Sequence, residues 1–159
     1  MKYFKTLFAV LVITVLVGCG GSGPPQVDWD LAVTGDVATP LSLSYRELTE
    51  MDQTDLTDVL MEKSLGEDEI TSWSGVALDL ILDQAGVGSY SSITAIASDG
   101  YAIEISAEET QGGIVALKLD GEWIPEVPEE RDRGPIRLVT PETPANRWVF
   151  QLQEIQVNQ

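Results

Sequence analysis

No histidine occurs anywhere in the 159 residues, and one cysteine, Cys19, is the whole thiol inventory. Without an imidazole the chain has no Ser-His-Asp or Cys-His catalysis, no imidazole metal ligand and no histidine acid–base chemistry. With one thiol it forms no internal disulfide, no CxxC redox pair, no cysteine zinc site and no iron–sulfur centre. Positive charge is scarce as well: nine Lys and Arg face 26 Asp and Glu, a formal net charge of −17. A surface of that sign repels phosphate backbones and anionic headgroups, so no nucleic-acid partner is expected and no membrane binding through the protein surface. Neither GxxxxGK[ST] nor GxGxxG nor a DxDxDG calcium loop is present, and no internal repeat is evident. What remains is ordinary globular material. Acidic residues are scattered rather than blocked and 43% of the chain is hydrophobic, which argues for a packed core over disorder.

The longest apolar run, Leu7 to Val17, follows the basic Lys2 and Lys5 and closes on Leu16-Val17-Gly18-Cys19. That order is a bacterial lipoprotein signal with its lipobox, and the run is too short to span a hydrocarbon core of ~30 Å at ~1.5 Å per residue. Residues 1–18 are therefore expected to be removed, and Cys19 to carry a thioether-linked lipid that fixes the protein to a membrane. An ordinary cleaved signal or an uncleaved short anchor are the plainer readings. Gly20 to Gln26 (GGSGPPQ) has the composition of a flexible tether. Residues 19–26 thus make the lipidated end, and 27–159 one domain, extracytoplasmic and either periplasmic or at the cell surface. Without Lys2 and Lys5 seven basic residues face 26 acidic ones, a formal charge of −19.

Within that domain Val27 to Val33 predicts a strand ended by Gly35-Asp36. Ser44-x-x-Glu47 has the form of a capping box for a helix from Tyr45 to about Met51. Asp55 to Met61 reads as a further strand, and Val76 to Ala85 as the clearest helix, with Ala77, Leu78, Ile81, Leu82 and Ala85 on one face and Gly86 to end it. Period-two alternation then takes over. Ile93 to Ser98, a turn at Asp99-Gly100 and Tyr101 to Ile105 predict a hairpin; Ser106 to Glu109 repeats the capping-box form and suggests one helical turn. Ile114 to Leu119, Ile136 to Thr140 and Trp148 to Val157 supply the remaining strands. The sum is a mixed α+β domain, mainly antiparallel in its β core, with short helices at the margins.

Six landmarks in this order, Trp73-Ser74-Gly75-Val76, the helix Leu78 to Ala85 with Gly86-Val87, Asp99-Gly100-Tyr101, Ala116 to Pro125, Gly134 to Val139 and Arg147-Trp148, resemble the molybdopterin-binding domain of the sulfite-oxidase family. The resemblance spans about Trp73 to Val157 and implies that family's largely β fold. It also implies a molybdopterin cofactor whose metal is held by one protein thiolate, with Tyr101 matching the tyrosine beside the metal. Arg137 and Arg147 match cofactor- or anion-contacting positions, as suits a rigid guanidinium donor fork. Each residue has a plainer reading: a surface tyrosine for Tyr101, a carboxylate-paired strand residue for Arg137, an ion pair for Arg147, and solvated charge for Arg131 and Arg133 among Glu129, Glu130 and Asp132. Trp73, Trp123 and Trp148 read first as core.

The pattern departs from the family at one chemical point. The stretch that corresponds to the metal-ligating cysteine, Val59 to Ser64 (VLMEKS), has no thiolate, and Arg133 stands where a histidine often precedes the glycine of the GxPxR segment, itself one residue shorter here. Glu62 and Ser64 are the only oxygen donors nearby. The expectation is a non-catalytic module with no cofactor and no metal, whose arginines bind a small anion or a partner protein. The alternative is a molybdopterin-dependent oxidoreductase acting on an oxyanion or sulfoxide.

Overall fold

A computed structural model describes residues 23–128 and 133–159. The signal segment, Cys19 and Arg131 lie outside the described residues. Among the described residues eleven strands, two α-helices and two short 3-10 helices follow one another, and no helix is long and apolar enough to cross a membrane.

The first strand, β1 (Asp30–Gly35), starts three residues later than the sequence pattern suggests, and β2 (Leu41–Ser44) returns beside it. Helix α1 (Tyr45–Glu50) starts where its cap dictates: Ser44 Oγ accepts from Glu47 N at 3.3 Å and the Glu47 carboxylate accepts from Ser44 N at 2.8 Å. Strands β3 (Gln53–Met61) and β4 (Glu69–Ala77) form a long antiparallel hairpin. Val76 and Ala77 belong to β4, so α2 (Leu78–Gln84) is two residues shorter at its start than periodicity alone predicts. The reason is tertiary, since both residues are paired with Val115 and Ile114 in the sheet. Gly86, at φ +73°, ends the helix as expected.

Next come β5 (Ser92–Ala97) and β6 (Ala102–Ser106), the hairpin read from the sequence. The second capping box is made, with Glu109 N donating to Ser106 Oγ and the Glu109 carboxylate accepting from Ser106 N, but it caps only a series of turns before β7 (Ile114–Leu119). Gly112 and Gly113 stop it from becoming a helix. Strands β8 (Glu122–Trp123), β9 (Arg137–Val139), β10 (Val149–Phe150) and β11 (Leu152–Asn158) complete the chain.

Two sheets result. One has the order β2-β1-β11-β5-β6, antiparallel except for β1 beside β11; the other runs β10-β9-β7-β4-β3 with β8 against β7. The chain crosses from the second sheet to the first at Gln151, whose φ of +46° separates β10 from β11. Leu31, Val33, Ile93 and Ile155 of the first sheet pack with Val76, Val115, Leu117 and Leu138 of the second and with Leu48, Leu78 and Ile81 of the helices to make the main core. Alternate residues of β7 point the other way. Ile114 and Ala116 join Met61, Trp73, Val139 and Trp148 in a second core on the far face, so Ile114 to Leu117 of β7 are buried on both sides and form an unbroken apolar run.

Candidate functional site

The second core holds one buried cation. Arg137, 3% exposed, sits on β9 directly opposite Ala116 of β7 and Phe150 of β10, while Ala116 is itself opposite Gly75 of β4. Cross-strand partners share a face, so Arg137, Ala116 and Phe150 lie on the same face of the sheet. Three rings frame the guanidinium: its carbon lies 3.9 Å from the centroid of Phe150, 4.9 Å from Trp73 and 5.3 Å from Trp148. Ring quadrupoles attract a cation by about 0.5–2 kcal/mol each, and more as water is removed.

The rings are themselves fixed. Trp73 and Trp148 meet edge to face at 5.9 Å and 88°. Trp148 Nε1 donates to the carbonyls of Thr140 at 2.9 Å and Thr143 at 3.2 Å, and Trp73 Nε1 donates to Thr71 Oγ1 at 2.8 Å. Both tryptophans are thus core residues, as read from the sequence, and also walls of a cation-holding frame, which the sequence did not reveal.

Arg137 opens onto a cavity of about 390 Å³ that also takes in Arg133, Lys63, Met61, Ser64 and Asn146. Among its described lining residues are three cations and no carboxylate, although Lys63 is ion-paired to Glu69 at the margin. In a chain of net charge −17 such a grouping is an exception. Arg133, taken from the sequence as solvated charge, is exposed overall yet stacks 5.1 Å from the Phe150 centroid, so one ring carries both guanidiniums. A second cavity of about 370 Å³ adjoins the first through Arg133, Ala145, Asn146 and Phe150, and contains Tyr101. Tyr101, 49% exposed, precedes β6 rather than alternating within it; its N–H donates to Asp99 Oδ1 at 2.9 Å across the hairpin turn.

The structure therefore brings Tyr101 and Arg137 to one divided cleft. Arg147 is elsewhere: it lines neither cavity, and its Nη2 donates to Glu104 O at 3.0 Å and to Glu109 Oε2 at 3.1 Å. Hydrogen bonds from Ser106, with Arg147 beside it, hold the Glu109 carboxyl below the usual glutamate range. Phe150, Asn146 and Lys63 were missed. They carry no local motif, and only strand pairing brings Phe150 beside an arginine thirteen positions earlier.

Across all of the described residues one family accounts for this architecture: the model of the oxidoreductase molybdopterin binding domain matches residues 21–159. The chain belongs to that family. Among solved structures, 29 chains are similar. One of them is the sulfane dehydrogenase SoxCD from Paracoccus pantotrophus, at 20% identity and a TM-score of 0.72, covering 86% of this chain. This chain spans 40% of the length of that one, and at such identity the likeness establishes the fold alone. No curated protein matches.

Membership makes molybdopterin the group to test against the residues present. Val59 to Ser64, where the resemblance seats the metal's thiolate, is the end of β3 and the loop after it, and it does border the Arg137 cavity. The donors it brings there are the Met61 thioether, the Ser64 hydroxyl and the Lys63 ammonium. A thioether is a weak neutral donor and an ammonium repels a metal ion, so this set does not fit a metal ligated by the protein. No group of three or more His, Cys, Asp or Glu able to hold a metal occurs among the described residues.

Proposed function

We propose that this member of the oxidoreductase molybdopterin-binding domain family is a lipid-anchored extracytoplasmic module that binds a small oxyanion without a protein-ligated metal. The observation that carries the reading is the cavity beside Arg137, with Arg133, Lys63 and no thiolate among its described walls. A guanidinium is a planar donor fork suited to oxyanions, and the one on Arg137 is framed by Phe150, Trp73 and Trp148. Anchoring rests on the Lys2, Lys5, Leu7 to Val17 and Cys19 pattern.

Protein purified from membranes of its own host tests both halves. The expected result is no stoichiometric molybdenum by elemental analysis, no pterin fluorescence, and calorimetric binding of inorganic phosphate or sulfate that Arg137→Lys weakens about tenfold or more, through loss of the fork. Cys19→Ser should move the protein from the membrane to the soluble fraction. A second reading is favoured by Tyr101 and Arg137 opening onto adjoining cavities: a molybdopterin oxidoreductase acting on an oxyanion or sulfoxide. Stoichiometric molybdenum together with dye-linked reductase activity would establish it and overturn the first.

A further inference from the structure

The chain enters the first sheet at one defined end. Asp30 of β1 lies opposite Ser44 of β2, Leu152 of β11 opposite Ala97 of β5, and Ile96 opposite Ala102 of β6, so the start of β1 shares an end with the β5–β6 turn and with Gln151. Gly35, Asn158 and Ser92 mark the other end, about 17 Å away along the strands. Asp99, Tyr101 and Gln151, all at the first end, line the cavity of about 370 Å³. Before β1 the chain is already packed: Pro25, Val27 and Trp29 alternate as half-buried residues, and Pro24 to Val27 share a groove with Tyr45, Arg46 and Thr49 of α1. Trp29 fixes the point of exit, since its Nε1 donates to Leu152 O at 2.8 Å and its carbonyl accepts from Tyr45 N at 2.7 Å. From Cys19 to Pro24 the sequence leaves five peptide steps, which reach at most about 18 Å, half the width of about 35 Å expected for a domain of this length. An acidic body tied so closely to an anionic bilayer is pushed outward until the leash is taut, which keeps the tied end nearest the lipid.

We propose that the end of the first sheet carrying the Tyr101 cavity is the membrane-facing surface of this protein, with Asp99 and Tyr101 turned toward the headgroups and the Gly35 end turned away. The inference rests on lipid attachment at Cys19, as read above, and adds an orientation that attachment alone does not give. It is independent of what the arginines bind.

Protein lipidated at Cys19, reconstituted into vesicles of phosphatidylcholine and phosphatidylglycerol that carry a fluorescent acceptor on the headgroup, tests it. With the Cys19 sulfur held in a thioether, a donor dye reacts only with a second thiol, introduced by Ala102→Cys at the near end or Gly88→Cys at the far one. Both positions are exposed, and a Cβ at Gly88 meets nothing. Energy transfer from position 102 should exceed that from position 88 about twofold or more, because the length of the sheet separates them. Insertion of about a dozen Gly and Ser residues after Gly23 should remove most of that difference. Equal transfer from the two positions, or stronger transfer from 88, would overturn the orientation and leave the anchor standing. Transfer that stays as unequal after the insertion would overturn the short leash as its cause. Full-length protein that does not float with the vesicles would overturn the anchor itself.

Discussion

Single residues carry several of the constraints in this protein. Tyr45 is 1% exposed, and its hydroxyl has no hydrogen-bond partner among the described residues. Burial, with Glu126 nearby, pushes its phenol well above the usual tyrosine range. The folded state therefore keeps the phenol neutral while the unfolded chain ionises near pH 10. Stability from this group is complete below pH 10 and falls as pH rises above it. Tyr45→Phe is expected to be neutral or stabilising by up to about 1 kcal/mol at pH 7, since it deletes an unsatisfied group, and to flatten the alkaline fall in denaturation midpoint. Gly75, by contrast, admits no side chain: it sits where the β4–β7 register shifts, and a Cβ there would overlap the Val115 carbonyl oxygen. Gly75→Ala should cost about 2 kcal/mol or more in urea unfolding, which gives the glycine of Trp73-Ser74-Gly75-Val76 a packing reason.

Among the elements, the two capping boxes show how one local signal has two outcomes. Ser44 and Glu47 start α1 because Leu48 can pack into the core behind them; Ser106 and Glu109 start only turns because two glycines follow. Hydrogen bonds from the serine hold the carboxyl of Glu47, as of Glu109, below the usual glutamate range. A depressed carboxyl stabilises the fold above its unfolded value, near 4.3, and that contribution is lost as pH falls through the folded one. Glu109→Gln, which also leaves Arg147 without its carboxylate, should lower the melting temperature at pH 7. The gap to the unmodified protein should close as pH drops below about 4. A gap independent of pH would mean that shape rather than charge holds this turn. The β3–β4 hairpin does a different job: its far end delivers Met61, Lys63 and Ser64 to the cleft.

For the molecule as a whole, a net charge of −17 surrounds a cleft that gathers three of the nine basic residues. An incoming anion meets repulsion first and attraction last. The Debye length falls from ~30 Å at 0.01 M salt to ~8 Å at 0.15 M, so added salt screens the distant acids more than the contacting arginines. Stopped-flow association of inorganic phosphate should consequently speed up over that range, with dissociation little changed. Association that slows with salt would show the positive potential of the cleft reaching past the acidic shell.

Local order was settled by the sequence alone wherever the physics is local. The Ser44 cap, the Gly86 helix end and the Asp99-Gly100 hairpin all follow from nearby residues, and so did the mainly antiparallel α+β class. The family, too, was legible, because its landmarks are short motifs kept in order. Tertiary structure decided what depends on pairing between distant strands. Trp73, Arg137, Trp148 and Phe150 lie on or beside strands whose register no local pattern specifies, and their convergence turned ordinary core aromatics into a frame for a buried guanidinium. The same geometry separated two arginines that looked equivalent in the sequence, sending Arg137 into the cleft and Arg147 to Glu109. Burial and charge partners belong to the folded surface, and only the packed sheets create it.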